Sequence, residues 1–298
     1  MTAMIPPRTE QPQPGHEHLD EYGISKLVGV LVDDQAFAAR AVGQAAEQIA
    51  FAVEGAVPRL ENGGRIIYVG AGTSGRLGLL DSVELNPTFS WPQDRALALL
   101  AGGPSAIYQA VEGAEDDQAK GARDLAELGP GLNDVVVLLA ASGATPYTLG
   151  ALSAARAAGA FTIGIANNPG APLAEGADAG IILDTGPEVI SGSTRLKAGT
   201  AQKIALNTFS SAVMVRLHKV FGNLMVDLRP TNAKLVRRSI RLIALAAGTD
   251  EEQARMAFEA CDRQVKPAIV SLLKAIGPDQ ARERLSAARG SVRAALQA

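Results

Sequence analysis

The chain has 298 residues, which is enough for one large α/β domain or for one such domain with a small appendage. Hydrophobic residues make up 47% of it and the formal net charge is −3, so the composition predicts no attraction to nucleic acid or to an anionic membrane. Cys261 is the only cysteine and there are three histidines, so neither a disulfide framework nor a metal site is predicted. We expect a cytoplasmic protein whose chemistry depends on carboxylates, hydroxyls or lysines.

The polar, proline-rich residues 1–23 predict an N-terminal arm, of a kind that often packs on a neighbouring subunit. No run of about 18 apolar residues follows, so the sequence predicts no membrane span. From residue 24 to residue 60 apolar side chains recur at helical spacing, which predicts a short helix and then a long one. Asp33 or Asp34 is the expected N-cap of the second helix.

Apolar runs of strand length then alternate with helix-like segments, as is typical of a parallel sheet with crossover helices. The sequence therefore predicts an α/β domain over residues 24–248, built on a doubly wound parallel sheet. The five predicted strands are residues 65–69, 96–101, 134–140, 161–166 and 180–183.

The pattern becomes mainly helical toward the C-terminus. A long helix without proline is predicted over residues 197–221, and shorter helices follow residue 232. We interpret residues 249–298 as a small C-terminal helical domain. The predicted short helices are residues 233–247, 250–263, 265–276 and 279–296.

A glycine-rich stretch, Gly70–x–Gly72–Thr73–Ser74–Gly75, joins the first predicted strand to the next helix. Free backbone N–H groups at such a junction, together with the dipole of the helix, can hold a phosphate group. The spacing of the three glycines also fits a dinucleotide-binding turn, and an ordinary tight turn is a further alternative.

Two observations favour a sugar phosphate over a nucleotide. The second predicted strand is followed by Gly102 and Gly103, where a dinucleotide-binding fold needs an acidic residue for the ribose hydroxyls. A second hydroxyl-bearing loop, with Ser142 and Thr145, also follows a predicted strand. Two such loops at neighbouring strand ends can surround a compact dianion without a metal or another cofactor.

Three glutamates are candidates for acid–base chemistry. Glu84 follows the glycine-rich stretch on the predicted helix, and the alternative is a solvated surface carboxylate. Glu112 and Glu115 are three residues apart, so we expect them to share a helix face, where they would otherwise form a charged surface. Arg195 and Lys197 are placed unfavourably at the start of a helix, which indicates an anion nearby.

Several motifs, in this order, resemble the N-acetylmuramic acid 6-phosphate etherase family of the sugar isomerase (SIS) domain superfamily. The chain is also similar to the glucokinase regulatory protein, which binds sugar phosphates without chemistry. The motifs are residues 70–84, 87–89, 110–116, 140–147, 188–203 and 220–227.

The resemblance implies a flavodoxin-like SIS core, a small ubiquitin-associated-like helical tail and a homodimer. It also implies removal of D-lactate from C3 of the sugar by elimination and hydration. Glu115 then handles the C2 proton, and Glu84 is the acid toward lactate and later the base toward water. The implied substrate-binding residues are Gly72, Thr73, Ser74, Ser142 and Thr145, with Arg195, Asn232 and Lys234 carried over from the sugar-phosphate-binding relatives.

Glu84 must be protonated when the substrate binds, and we expect Val83 and Leu85 to give it an apolar surround. Val83, Leu85 and Asn86 depart from the family pattern, as do Ala144 and Gln13. Two other functions remain open from the sequence: a non-catalytic sugar-phosphate-binding regulator and an aldose–ketose isomerase. The length of the chain argues against the regulator, because the chain has one SIS core and lacks the second core of the regulatory protein.

Overall fold

The computed structural model describes residues 6–228, 230 and 232–297. Its internal contacts divide the chain into two compact units. The first unit runs to Val83 and resumes over Gln93–Ser210, and the second comprises Glu84–Pro92 and the chain from Ser211 onward. This division differs from the sequence boundary at residues 248/249, which stays a prediction.

A five-stranded parallel sheet forms the centre of the first unit, in the order β2-β1-β3-β4-β5. The flavodoxin-like, doubly wound parallel fold is therefore confirmed. The chain places β2 on one side of β1 and then β3, β4 and β5 on the other side, so the direction in which strands are added reverses next to β1. The strands are β1 Ile66–Gly70, β2 Ala96–Leu100, β3 Val135–Leu139, β4 Phe161–Ala166 and β5 Ala179–Ile182.

Continuous apolar runs form β1, β3 and β4, because these strands are buried on both faces of the sheet. Helices cover the sheet, and two of them, α3 and α7, continue into the second unit. The helices are α1 Ile24–Gln44, α2 Ala46–Glu61, α3 Gly72–Phe89, α4 Gln118–Glu127, α5 Pro146–Ala157, α6 Pro172–Gly176 and α7 Lys197–Arg216.

The expected helix start at Asp33 or Asp34 is wrong. Helix α1 runs unbroken to Gln44, and the chain bends at Ala45 before α2 begins. Asp34 does not cap a helix because its side chain is buried and receives a hydrogen bond from the Lys197 ammonium at 2.6 Å.

Lys197 and Asp34 form a buried ion pair, with 4% and 3% of their side chains exposed. The fully buried carboxylate of Glu188 accepts hydrogen bonds from the backbone N–H groups of Lys197 and Ala198, at the start of α7. Burial raises the pKa of Glu188, although these two hydrogen bonds oppose the shift. The anion indicated by Lys197 at the start of this helix is therefore a side chain of the chain itself.

The described part of the arm packs on its own chain. Thr9 is fully buried, and its carbonyl accepts a hydrogen bond from the Gly192 N–H. Arg8 pairs with Asp184 just beyond β5, and Gln13 accepts a hydrogen bond from Lys197. These contacts place the arm at the carboxyl edge of the sheet.

The second unit is mainly helical, which confirms the expected C-terminal helices. Predicted helix 197–221 is too long, because α7 ends at Arg216 and a two-stranded hairpin follows. Predicted helix 279–296 is two helices, separated where Arg289 and Gly290 adopt positive φ angles. The elements are β6 Val220–Phe221, β7 Leu224–Met225, α8 Ala233–Ala247, α9 Glu251–Ala260, α10 Val265–Lys274, α11 Pro278–Ala287 and α12 Val292–Gln297.

Helix α8 shares a core with the helices after it. Ile240 and Ile243 belong to one buried cluster with Phe258 and Ile269. In the described residues, no helix is long and apolar enough to cross a bilayer. No group of three histidine, cysteine or acidic side chains suited to a metal ion is found among those same residues.

The ion pair in the first unit gives a stability prediction. Asp34→Ala leaves the Lys197 ammonium buried without its carboxylate, so we expect the free energy of unfolding to fall by about 3–5 kcal/mol. Asp33→Ala changes the exposed neighbour on the same helix and is expected to stay within about 0.5 kcal/mol of the parent. Urea unfolding of both variants measures the difference, and equal stabilities would contradict the prediction.

Candidate functional site

The end of β1 and the start of α3 approach each other closely because both positions are glycine. A Cβ atom on Gly75 would lie 2.4 Å from the Leu100 side chain and 2.6 Å from the Gly70 carbonyl oxygen. One on Gly70 would lie 2.7 Å from the Cα of Gly75. Gly72 has a φ of +51°, a conformation that favours glycine.

Thr73 and Ser74 lie in the first turn of α3, not in a loop before it. The first N–H groups of a helix have no acceptor within the helix, so this turn presents amide donors and a positive dipole end. Ser74 is buried and Thr73 is half-buried. The Thr73 methyl group lies 3.3 Å from the place that a Cβ on Gly199 would occupy, so α3 and α7 start side by side.

The second predicted loop follows β3, the neighbour of β1 in the sheet. The Ser142 hydroxyl accepts a hydrogen bond from the Ala144 N–H at 3.2 Å, and Gly143 has a φ of +70°. Thr145 precedes α5 and its side chain makes no capping hydrogen bond. Because β1 and β3 are adjacent and parallel, their carboxyl ends bring both hydroxyl-bearing junctions to one edge.

Glu115 lines a cavity of about 240 Å³ beside the start of α3. Its expected helix face with Glu112 is wrong: Glu115 lies in a short 3-10 helix, Ala114–Asp116, and Glu112 precedes Gly113, which has a positive φ. Glu112 and Glu115 are both exposed. The residues around the cavity are Ala71, Gly72, Arg76, Ala101, Ala106, Ala110, Val111, Glu112, Gly113, Ala114 and Glu115.

Arg76 holds the wall of this cavity in place. Its guanidinium Nε donates a hydrogen bond to the Ala106 carbonyl at 3.0 Å, which ties the segment after β2 to the first turns of α3. The structure therefore brings Gly72 of the predicted phosphate site and Glu115 of the predicted catalytic pair to one cavity.

Glu84 lies in the fourth turn of α3, counting 3.6 residues per turn from Gly72. It belongs to the second unit and is exposed. Leu85 is buried, but 62% of Val83 is exposed, so the expected apolar surround from Val83 is wrong for the single chain. The exposure follows from helical geometry, because residues two positions apart, such as Val83 and Leu85, point to nearly opposite sides of a helix.

Sequence reasoning missed Asp81, which lies one turn before Glu84 and is 3% exposed. Its carboxylate accepts hydrogen bonds from the Tyr68 hydroxyl at 2.7 Å, from Asn207 at 2.8 Å and from Ser210 at 3.1 Å. Burial and the nearby Asp81 charge raise the pKa of Tyr68 well above its usual value. Asp81 thereby fixes the rotation of α3 against β1 and α7.

The three remaining candidates lie elsewhere. Arg195 is exposed in the first unit, just before α7. Asn232 is the N-cap of α8 and accepts a hydrogen bond from the Leu235 N–H at 3.0 Å, and Lys234 is exposed in the first turn of that helix. Asn232 thus has a structural role of its own in the second unit.

Two residues that donate hydrogen bonds to the Ala141 carbonyl, next to Ser142, were also missed from the sequence. Asn167 and Asn168 directly follow β4 and are 0% and 5% exposed. The signal was available, because two consecutive amides at the buried end of an apolar strand must find hydrogen-bond partners inside the protein.

Comparison with known proteins places the chain in a family. N-acetylmuramic acid 6-phosphate etherase of Deinococcus radiodurans is 57% identical, over 98% of this chain and 95% of that relative. The protein of the same name from Rubrobacter xylanophilus is 49% identical, over 97% and 95% of the two chains. The chain belongs to the N-acetylmuramic acid 6-phosphate etherase family.

The etherase family assignment agrees with two domain matches. The glucokinase regulatory protein N-terminal SIS domain matches residues 48–156, and the SIS domain matches residues 125–212. The crystal structure of a putative phosphosugar isomerase from Bacteroides fragilis is 20% identical, covers 67% of this chain and 95% of its own, and has a TM-score of 0.52. This likeness shows the SIS fold alone.

The junction between β1 and α3 gives a second prediction. Gly75→Ala places a methyl group against Gly70 and Leu100, so α3 must shift, and we expect a loss of about 1–3 kcal/mol in the free energy of unfolding. Gly43→Ala is the control, because Gly43 lies in α1 with open space around its Cα, and alanine there favours the helix by up to about 1 kcal/mol. Thermal unfolding of the two variants compares them, and a stabilising Gly75→Ala would contradict the close approach.

Proposed function

We propose that this chain is an N-acetylmuramic acid 6-phosphate etherase, which releases D-lactate from C3 of its substrate and leaves N-acetylglucosamine 6-phosphate. It acts in the recycling of cell-wall amino sugars. The observation that carries the proposal is the near full-length identity to proteins of this name. The hydroxyl-bearing edge of the SIS sheet is consistent with a phosphorylated sugar.

The phosphate group binds where β1 and β3 end. Thr73 and Ser74 offer hydroxyls and helix N-terminal amides, and Ser142 and Thr145 offer hydroxyls from the neighbouring junction. Gly72 lets the backbone approach the ligand without a side chain in the way. Arg195, Asn232 and Lys234 are further proposed contacts of the substrate.

The reaction is an elimination followed by a hydration. In the ring-opened aldehyde, the carbonyl at C1 acidifies the C2 proton, so a carboxylate can remove it. The electron pair of that C–H bond forms a C2–C3 double bond, and the C3–O bond breaks as lactate takes up a proton. Water then adds at C3, and a proton returns to C2. No net oxidation or reduction occurs, which suits a site without a redox cofactor.

Glu115 removes and returns the C2 proton in this proposal. Its place on the wall of the cavity that also exposes Gly72 supports the role, because both reach the space beside the start of α3. Glu84 protonates the departing lactate oxygen and then activates water, a change of role that general acid–base catalysis requires of one carboxyl group. Glu84 therefore begins the cycle protonated.

An aldose–ketose isomerase shares the first step but moves the C2 proton to C1 and keeps the ether intact. A regulator binds the sugar phosphate and releases nothing. The products separate all three functions, so the decisive experiment supplies N-acetylmuramic acid 6-phosphate in ¹⁸O-labelled water. The etherase predicts D-lactate without the label and N-acetylglucosamine 6-phosphate with ¹⁸O at C3, and no lactate release would refute it.

Substitution of the two glutamates tests their roles. Glu84→Gln and Glu115→Gln remove the acid–base group and keep the shape of the side chain, so we expect turnover to fall by about 10²–10⁴-fold in each. Glu127→Gln is the control, because Glu127 is exposed at the end of α4 and does not line that cavity, so its turnover should stay at the parental value. Full turnover in either test variant would remove that residue from the mechanism.

The proposal includes a homodimer in the cytoplasm. Ile24, Val28 and Val32 recur every four residues on α1 and are 82%, 53% and 63% exposed, which leaves an apolar stripe for a second copy of the chain. We expect Val32→Glu to shift the dimer toward monomer in analytical ultracentrifugation. Gln44→Glu adds the same charge on another side of α1 and should leave the molecular mass in solution unchanged. A monomeric parent protein would refute the dimer.

A further inference from the structure

The carbonyl of Ala141 is held by two donors that lie beyond β4. The backbone N–H of Asn167 and the side-chain amide of Asn168 each donate a hydrogen bond to it, both at 2.9 Å. Ala141 directly precedes Ser142, whose hydroxyl belongs to the proposed phosphate site. The two amides therefore fix the peptide plane that joins Ala141 to Ser142.

This orientation decides where the Ser142 N–H points. Strand β3 lies between β1 and β4, and the Ala141 carbonyl is directed to the β4 side. In a planar trans peptide the N–H points opposite to the carbonyl, so the N–H of Ser142 is directed to the β1 side. That is the side on which Gly72–Ser74 begin α3. Within residues 6–228, 230 and 232–297, no acceptor for this N–H is observed.

Thr9 of the arm determines which end of the Asn168 amide faces Ala141. The Thr9 N–H donates to Asn168 Oδ1 at 3.2 Å, and Asn168 Nδ2 donates to the Thr9 hydroxyl at 3.0 Å. A backbone N–H can donate only to the oxygen end of the amide, so the nitrogen is left to face the Ala141 carbonyl. Both side chains are buried, which keeps water from competing.

We propose that Asn168 is a positioning residue of the substrate site, and that Thr9 of the N-terminal arm fixes its orientation. Together they turn the backbone N–H of Ser142 toward the space between β1 and β3, as a donor to the phosphate of the substrate. This inference rests on the proposed sugar-phosphate site. The arm is then a working part of the site, although it is more than 150 residues away from Asn168 in sequence.

The first test replaces the amide by a carboxylate of the same shape. Asn168→Asp keeps the acceptor for the Thr9 N–H but places an oxygen against the Ala141 carbonyl, so the peptide loses its orientation. We expect the KM for N-acetylmuramic acid 6-phosphate and the inhibition constant of inorganic phosphate to rise together by about 5–30-fold, with a much smaller change in kcat. Asn133→Asp adds the same charge at an exposed loop of the same unit and should leave both constants unchanged.

The second test changes the arm and adds no charge. Thr9→Val removes the hydroxyl that accepts from Asn168 Nδ2 and keeps the size of the side chain, so the amide is held from the arm only by the Thr9 N–H. KM and the phosphate inhibition constant should again rise together, by less than in Asn168→Asp. Thr9→Ser keeps the hydroxyl and should restore both to near the parental values. A purely structural role of Thr9 predicts instead that KM and the phosphate inhibition constant of Thr9→Val and Thr9→Ser change only as far as their melting temperatures change.

Folded Asn168→Asp and Thr9→Val variants with parental KM and phosphate inhibition would overturn the inference, as would a fall in kcat at constant KM. If Asn168→Asp does not fold, the comparison of Thr9→Val with Thr9→Ser decides alone. The proposed function fails separately, if the parent protein releases no lactate. In that case calorimetry compares the binding of N-acetylglucosamine 6-phosphate to the parent protein and to Asn168→Asp. We expect the dissociation constant to rise by the same factor of about 5–30-fold, and an unchanged constant overturns the positioning role.

Discussion

The contact between Gly75 and the end of β1 is the constraint on which the rest of the site depends. With no Cβ at either position, the first turn of α3 comes against Gly70 closely enough to direct its amides to the edge of the sheet. Gly72 and Glu115 then face one cavity, and Asp81 holds the same helix by three hydrogen bonds further along. A larger residue at position 75 would move the first turn of α3, the cavity wall and the Asp81 anchor together.

Buried polar groups fix the other elements around this edge. The Lys197–Asp34 pair joins α1 to the start of α7, and Glu188 satisfies the first amides of that helix. Burial of charge is unfavourable in itself, and it is tolerated here because each charged group has at least one partner at hydrogen-bond distance. Asn168 extends the same arrangement to the arm and to the Ser142 loop. The edge is therefore held by directional contacts, which suits the proposed site, where several donors surround one anion.

The sheet could be predicted from the sequence because all five strands appear as apolar runs of strand length, and β1, β3 and β4, which are buried on both faces, give the clearest ones. Local patterns failed where a distant partner decided the outcome. Asp34 was predicted to cap a helix, but its carboxylate instead pairs with Lys197, which lies 163 residues away in sequence. The face shared by Glu112 and Glu115 depended on a helix that Gly113 interrupts. The roles of Asn168 and Thr9 depended on contacts across the fold, which no spacing along the chain reveals.

The hydrogen bonds of Thr9 also bear on the order in which the protein can be completed. Thr9 is made before its partners Asn168 and Gly192, which follow about 160 and 180 residues later. At a synthesis rate of about 5–20 residues per second, the residues that bind the arm are made on the order of ten seconds or more after Thr9. The contacts that hold the arm at the carboxyl edge are therefore completed only after β4 and β5 have been made, and the Ser142 loop gains its final orientation only once Asn168 is present.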